Sequence, residues 1–117
     1  MGLLIEPSNQ TVQLTFGGQV TAIRHQGKLQ GDDAHRYVLS GSVGQTLEVV
    51  LIDRSGDGEA RFSIRDANKD IPVKDREDSA VVTVDSNGRY VVTVKPRVNR
   101  EARYDIQISL SLSLIHI

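Results

Sequence analysis

Hydrophobic residues recur at every second position over most of this chain, and that period leaves few folds open. In TVQLTF (Thr11 to Phe16), Val12, Leu14 and Phe16 fall on one side and Thr11, Gln13 and Thr15 on the other. The same alternation groups Tyr37 with Leu39, Leu47 with Val49 and Leu51, and Ala60 with Phe62 and Ile64. It continues through Val82 and Val84, through Tyr90, Val92 and Val94, and through Tyr104, Ile106, Ile108 and Leu110. With a weaker run from Val20 to Leu29, about eight strands are predicted. Successive side chains of a strand point to opposite faces, so each of these runs buries one face and wets the other. No helical period survives over ten residues. The pattern therefore predicts an all-β chain, an antiparallel β-sandwich, in a single domain.

The punctuation agrees with that reading. Gly17-Gly18, Gly31-Asp32-Asp33, the segment Gly41 to Gly44, Gly56-Asp57-Gly58, Ala67-Asn68 and Asn87-Gly88 fall between the runs. Asn87-Gly88 predicts a two-residue type I′ hairpin turn, which needs positive φ at both positions. DRSGDGE (Asp53 to Glu59) predicts a Gly-rich hairpin joining the strands on either side of it. The polar stretch Asp66 to Ser79 predicts a solvated loop or a poorly ordered edge.

A chain of 117 residues fits one domain, and with two Phe, three Tyr and no Trp its core falls to Val, Ile and Leu, which favour strands. The absence of cysteine removes disulfides, thiolate metal sites and thiol nucleophiles together. A net charge of -1 gives no general attraction to nucleic acid or to an anionic membrane. No stretch is apolar for the length of a membrane helix, and Met1 to Ile5 is too short for a signal-peptide core. Glu6 stands where a myristoylation motif needs Ser or Thr. The expected division is an N-terminal extension over 1–9, the sandwich over 10–111 and a tail over 112–117. That tail, LSLIHI, reads as the translated transposon end used in preparing sequencing libraries, and so as non-native.

Two acidic stretches are candidates for calcium. Asp53, Ser55, Asp57 and Gly58 begin a loop of the helix-loop-helix type, but its twelfth position is Ile64, which has no side-chain oxygen. Asp66, Asn68, Asp70 and Glu77 form a second approximate match, with the β-branched Ile71 where the sharp turn needs glycine. A looser cluster built from Asp53, Asp57, Asp66 and Asp70 requires both loops at one end of the sandwich. No catalytic set is predicted: there is no Gly-x-Ser-x-Gly elbow, no phosphate-cradling loop with lysine, and His25 and His35 read as solvated surface histidines. From Ser86 to Arg103 five cations (Arg89, Lys95, Arg97, Arg100, Arg103) face the single acid Glu101, whereas Asp53 to Asp85 carries nine acids and six bases. That asymmetry points to contact with a protein or an anionic polymer, and the lack of interleaved aromatics argues against single-stranded nucleic acid.

From Thr11 to Leu110 the order of motifs resembles the bacterial pre-peptidase C-terminal (PPC) domain and its free-standing relatives, the periplasmic inhibitors of g-type lysozyme. The resemblance lies in GKLQGDDAHRYVLSGSVGQTLEVVL (Gly27 to Leu51), GDGEARFSI (Gly56 to Ile64), NGRYVVTV (Asn87 to Val94) and RVNREARYDIQISL (Arg97 to Leu110). It implies a jelly-roll-like, non-catalytic extracytoplasmic sandwich, periplasmic or secreted, whose partner is a protein. In the inhibitor branch a Ser-Gly-x-Tyr loop enters the lysozyme cleft. Here that loop corresponds to Asn87-Gly88-Arg89-Tyr90, with Ser86 one place earlier, and Arg97 and Arg100 belong to the basic loop that follows. Gly88 and Tyr90 also admit plain structural roles, as a turn and as a core ring. In the PPC branch the domain assists an exported hydrolase and sometimes holds calcium, although Arg61 stands where that family's second Asp would fall. Nothing in the sequence separates a monomer from a homodimer.

Overall fold

The computed structural model describes residues 10–16, 22–30, 33–54, 60–68, 71–76, 78–96 and 101–112, with the backbone alone for 71–76 and 112. Its strands are β1 (Gln10–Gln13), β2 (Ala22–Leu29), β3 (His35–Gly41), β4 (Gln45–Asp53), β5 (Ala60–Asp66), β6 (Ile71–Arg76), β7 (Ser79–Thr83), β8 (Gly88–Pro96) and β9 (Ala102–Leu112). They form two sheets, a first in the order β1-β3-β8-β5-β6 and a second in the order β2-β9-β4-β7. All pairs are antiparallel except β1 beside β3, which is parallel. The expected all-β sandwich is therefore what forms. The residues of 1–9 and 113–117 lie outside the described ones, and β9 runs to Leu112, one residue past the expected boundary.

The alternation sets the two inner faces. Leu47, Val49 and Leu51 of β4 and Ile106, Ile108 and Leu110 of β9 project from the second sheet toward Phe62 and Ile64 of β5 and Val92 and Val94 of β8 in the first. Burying each such side chain contributes ~1.5–3 kcal/mol, so this single layer of aliphatic contacts is the main force holding the sheets together. Leu14 extends it beyond β1, its N–H donating to the Val38 carbonyl at 2.8 Å.

Two expectations about connections need correction. Asn87-Gly88 does not close a hairpin, because β7 belongs to the second sheet and β8 to the first. The same holds for the segment from Asp53 to Glu59, which joins β4 of the second sheet to β5 of the first; its residues 55–59 lie outside the described ones. Among the described strands only β5 and β6 are both consecutive and paired. Period two records which side of a strand is wet but not which sheet receives it, so a crossover and a hairpin leave the same trace. β6 lies inside the stretch expected to be a solvated loop or a poorly ordered edge, and it forms an edge strand of the first sheet. Its Pro72 lacks an N–H and fits only an edge or an irregularity, and the β5–β6 register shifts between Ile64 and Arg65, opposite this proline.

Because β3, β5 and β8 lie side by side in register, the sandwich has two distinct ends. One carries the β3–β4 turn, Ala67-Asn68 and the connection Ser86-Asn87; the other carries His35, Asp53, Ala60, Pro96 and Ala102.

Candidate functional site

At the Asn87 end three connections are tied together by side chains. Asp66, the last residue of β5, faces inward and is buried. Its Oδ2 accepts a hydrogen bond from Ser86 Oγ at 2.9 Å and its Oδ1 accepts one from the Asn68 N–H at 3.0 Å. Asn68 Nδ2 donates to the Asn87 carbonyl at 3.3 Å, and Asn87 Oδ1 accepts from the Val43 N–H at 2.8 Å. Below them the Tyr90 hydroxyl donates to the Ser86 carbonyl at 3.3 Å. A buried carboxylate is expensive unless its lone pairs are used, and here the hydrogen bonds that satisfy Asp66 also fix the backbone of the exposed loop.

Gly88 sits in the middle of this arrangement with φ of 150°, and a Cβ there would run into the Asn68 amide. Glycine is thus required for the close approach of two loops, rather than for the hairpin turn that the sequence suggested. Asn87 and Arg89 remain exposed at the rim, beside Val43 at 60% exposure. Tyr90 is 1% exposed and packs in the core. The structure therefore gathers Ser86, Asn87, Gly88 and Arg89 on one surface and turns Tyr90 inward as its support, while Arg97 and Arg100 lie outside the described residues. Val43, which was not singled out, and Asn68, read only as a turn and a calcium candidate, join this surface; they come from other loops, and local sequence carries no signal of that pairing.

The candidate calcium residues are not brought together as a set. Asp53 closes β4 at the His35 end and Asp66 closes β5 at the Asn87 end, so a strand length of roughly 20 Å separates them, at ~3.3 Å per residue. Asp57 and Asp70 lie outside the described residues.

The opposite end holds a buried polar cluster. His35 was expected at the surface but is 4% exposed. Its Nδ1 lies 2.7 Å from the Tyr104 hydroxyl, which lies 2.7 Å from the Tyr37 hydroxyl. His25 is exposed as expected, on the edge strand β2, with its ring edge-on to Tyr37 at 5.3 Å. The signal for His35 was available, since it precedes Tyr37 and Leu39 at the same period of two and so belongs to the inner face. Burial raises the Tyr37 phenol above its ordinary value, with the Tyr104 hydrogen bond acting the other way. Burial first, and then the Tyr37 hydroxyl, push Tyr104 far above that value, so both rings stay neutral donors and acceptors.

No protein-family model matches the sequence, and no curated protein sequence does either. Solved structures do match. The periplasmic inhibitor of g-type lysozyme PliG from Aeromonas hydrophila superimposes with a TM-score of 0.74 at 17% identity, over 89% of this chain and 98% of that one. A mutant of the Escherichia coli PliG superimposes at 0.71 with 18% identity, over 88% and 99%. The pre-peptidase C-terminal domain of a Bacillus anthracis collagenase gives 0.66 at 11% identity, over 88% and 96%. Both groups to which the motif order pointed are thus among those whose architecture matches, and the chain has the β-sandwich fold common to g-type lysozyme inhibitors and PPC domains.

Proposed function

We propose that this protein is a non-catalytic, extracytoplasmic binding domain that inhibits g-type lysozyme through the loop surface at its Asn87 end. The observation that carries this reading is the braced loop itself: Ser86, Asn87 and Arg89 belong to the loop whose motif resembles the inhibitors' Ser-Gly-x-Tyr loop, and it is held by side-chain hydrogen bonds on a fold shared with PliG. Bracing matters because a loop already held in one conformation loses little entropy when it docks. In this reading Asn87 and Arg89 meet the enzyme cleft, where the guanidinium pairs with an acidic group. Tyr90 acts from below, and the protein works in the periplasm or outside the cell. Titration of the purified protein into a g-type lysozyme lysis assay tests it. Inhibition is expected at micromolar protein, weakened about 5- to 30-fold by Arg89→Ala or Asn87→Ala, the ~1–2 kcal/mol of an interface anchor. Lysis that continues unchanged at micromolar excess overturns the reading.

A second reading is favoured by the collagenase PPC domain: an accessory module of an exported hydrolase, with calcium as a possible ligand through Asp53 or Asp66. A cation held only by the folded state raises the melting temperature, so equal melting in chelator and in millimolar Ca²⁺ removes the calcium part.

A further inference from the structure

The two outer faces of the sandwich treat their cations differently. On the second sheet they are paired: Lys28 Nζ lies 3.2 Å from Glu101, Arg54 Nη1 lies 2.8 Å from Asp105, and Arg24 Nε donates to Gln107 at 3.0 Å. A hydrogen bond from Gln30, and after it Lys28, hold the Glu101 carboxyl below its ordinary value. On the first sheet the outward positions of β3, β8 and β5 carry Arg36, Arg89, Lys95, Arg61 and Arg65 with no acid among them. Arg36, Arg61, Arg89 and Lys95 make no ion pair among the described residues. At the β6 edge the register sets Asp75 opposite Ser63, so this count is made over β3, β8 and β5.

The register sharpens the point. Arg61 and Lys95 are direct cross-strand partners, an arrangement of like charges that destabilises a sheet unless an anion neutralises it. Arg36 is the partner of Thr93, which in turn faces Ser63. Arg36, Lys95, Ser63 and Thr93 line a shallow depression of about 380 Å³, with Arg65 on the same wall. Two cations and two hydroxyls around one hollow, with Arg61 adjoining, suit a tetrahedral oxyanion that accepts several hydrogen bonds; a planar carboxylate is satisfied by one guanidinium fork. Arg65 adds to the field at the hollow itself, and Arg89 continues it ~20 Å from Lys95 along β8, at ~3.3 Å per residue, farther than one anion reaches. Three strands ~4.8 Å apart and some seven residues long offer roughly 330 Å², under half of what each partner gives to a standard protein interface. The outward positions of these three strands hold no aromatic ring on which a base could stack.

We propose that the outer face of the first sheet binds a linear phosphate polymer, seated at the Arg36, Arg61 and Lys95 cluster. The Arg36, Arg61 and Lys95 cluster lies away from the loop end, which the face adjoins only at Arg89, and its test does not involve lysozyme. The probe is inorganic polyphosphate, titrated at a series of salt concentrations, with poly-glutamate of equal charge as the comparison. Expected are binding at least tenfold tighter for polyphosphate, and at least a tenfold loss in the double variant Arg61→Gln, Lys95→Gln, with a salt dependence shallower by about 1 to 2 in log–log slope. Arg36→Gln reads the same depression independently, and Arg54→Gln on the opposite sheet leaves binding unchanged. Equal affinity for the two polymers, undiminished binding by the double variant and by Arg36→Gln, or an equal loss in Arg54→Gln each overturns the proposal.

Discussion

Gly27 carries no side chain because Tyr104 occupies the place where one would be. The two are direct partners across β2 and β9, and a Cβ on Gly27 would run into the phenol ring. The ring covers the gap that the glycine leaves, an aromatic rescue of a strand glycine at a sheet edge. Gly27→Ala is expected to cost ~1–3 kcal/mol as the ring is pushed off its position, read as a lower midpoint in urea denaturation; an unchanged midpoint would refute the contact. The hydroxyl of the same ring touches both Tyr37 and His35. Tyr104→Phe leaves buried polar atoms short of a partner and should cost ~1–3 kcal/mol although the ring is kept. At this scale the sequence was most misleading where chemistry and position disagreed. His35 is polar by type but inward by alternation, and position decided. Tyr90 suited both a recognition role and a core role, and its neighbours Val92 and Val94 on the same face drew it inside.

Among the elements, β8 is built like a lever. Its start lies in the braced loop and its body, between β3 and β5, anchors that loop in the core. Asp66 is the brace, and Asp66→Ala would leave the Ser86 hydroxyl and the Asn68 N–H without their acceptor. Amide exchange at Asn68 and the neighbouring loop is expected to speed up at least tenfold, while β9 amides in the other sheet slow or quicken only with global stability. Equal acceleration everywhere would contradict a local brace. Strand positions were legible because each strand writes its own alternation. Partners were not, because the rule that makes Tyr90 and Val92 inward applies equally to either sheet, and only loop geometry distinguishes β7–β8 as a crossover. β6 was legible only as either a loop or an edge, because Pro72 and its charges mark a loop in the interior of a sequence and an edge strand in a fold.

For the molecule as a whole, the sandwich class was readable from period two, whereas the two chemically different outer faces were not, since they depend on which strands adjoin. Burial of Tyr37 and Tyr104 also makes the whole fold sensitive to alkali. Both phenols are raised in the folded state above the ordinary value of 10.0, so their contribution is complete below that pH and fades above it, as the unfolded chain gives up protons that the native one keeps. Denaturant midpoints should fall as pH rises past about 10, and the fall should flatten in a Tyr37→Phe, Tyr104→Phe background. A pH-independent midpoint in the unsubstituted protein would count against neutral buried phenols. One further consequence comes from β2, whose described pairing is with β9 alone. Roughly 70 residues of chain separate the two strands. At a ribosome adding ~5–20 residues per second, β2 waits ~4–15 s for its partner to emerge, and for that interval its hydrogen-bonding edge is open to whatever chaperone or translocase meets the nascent chain first.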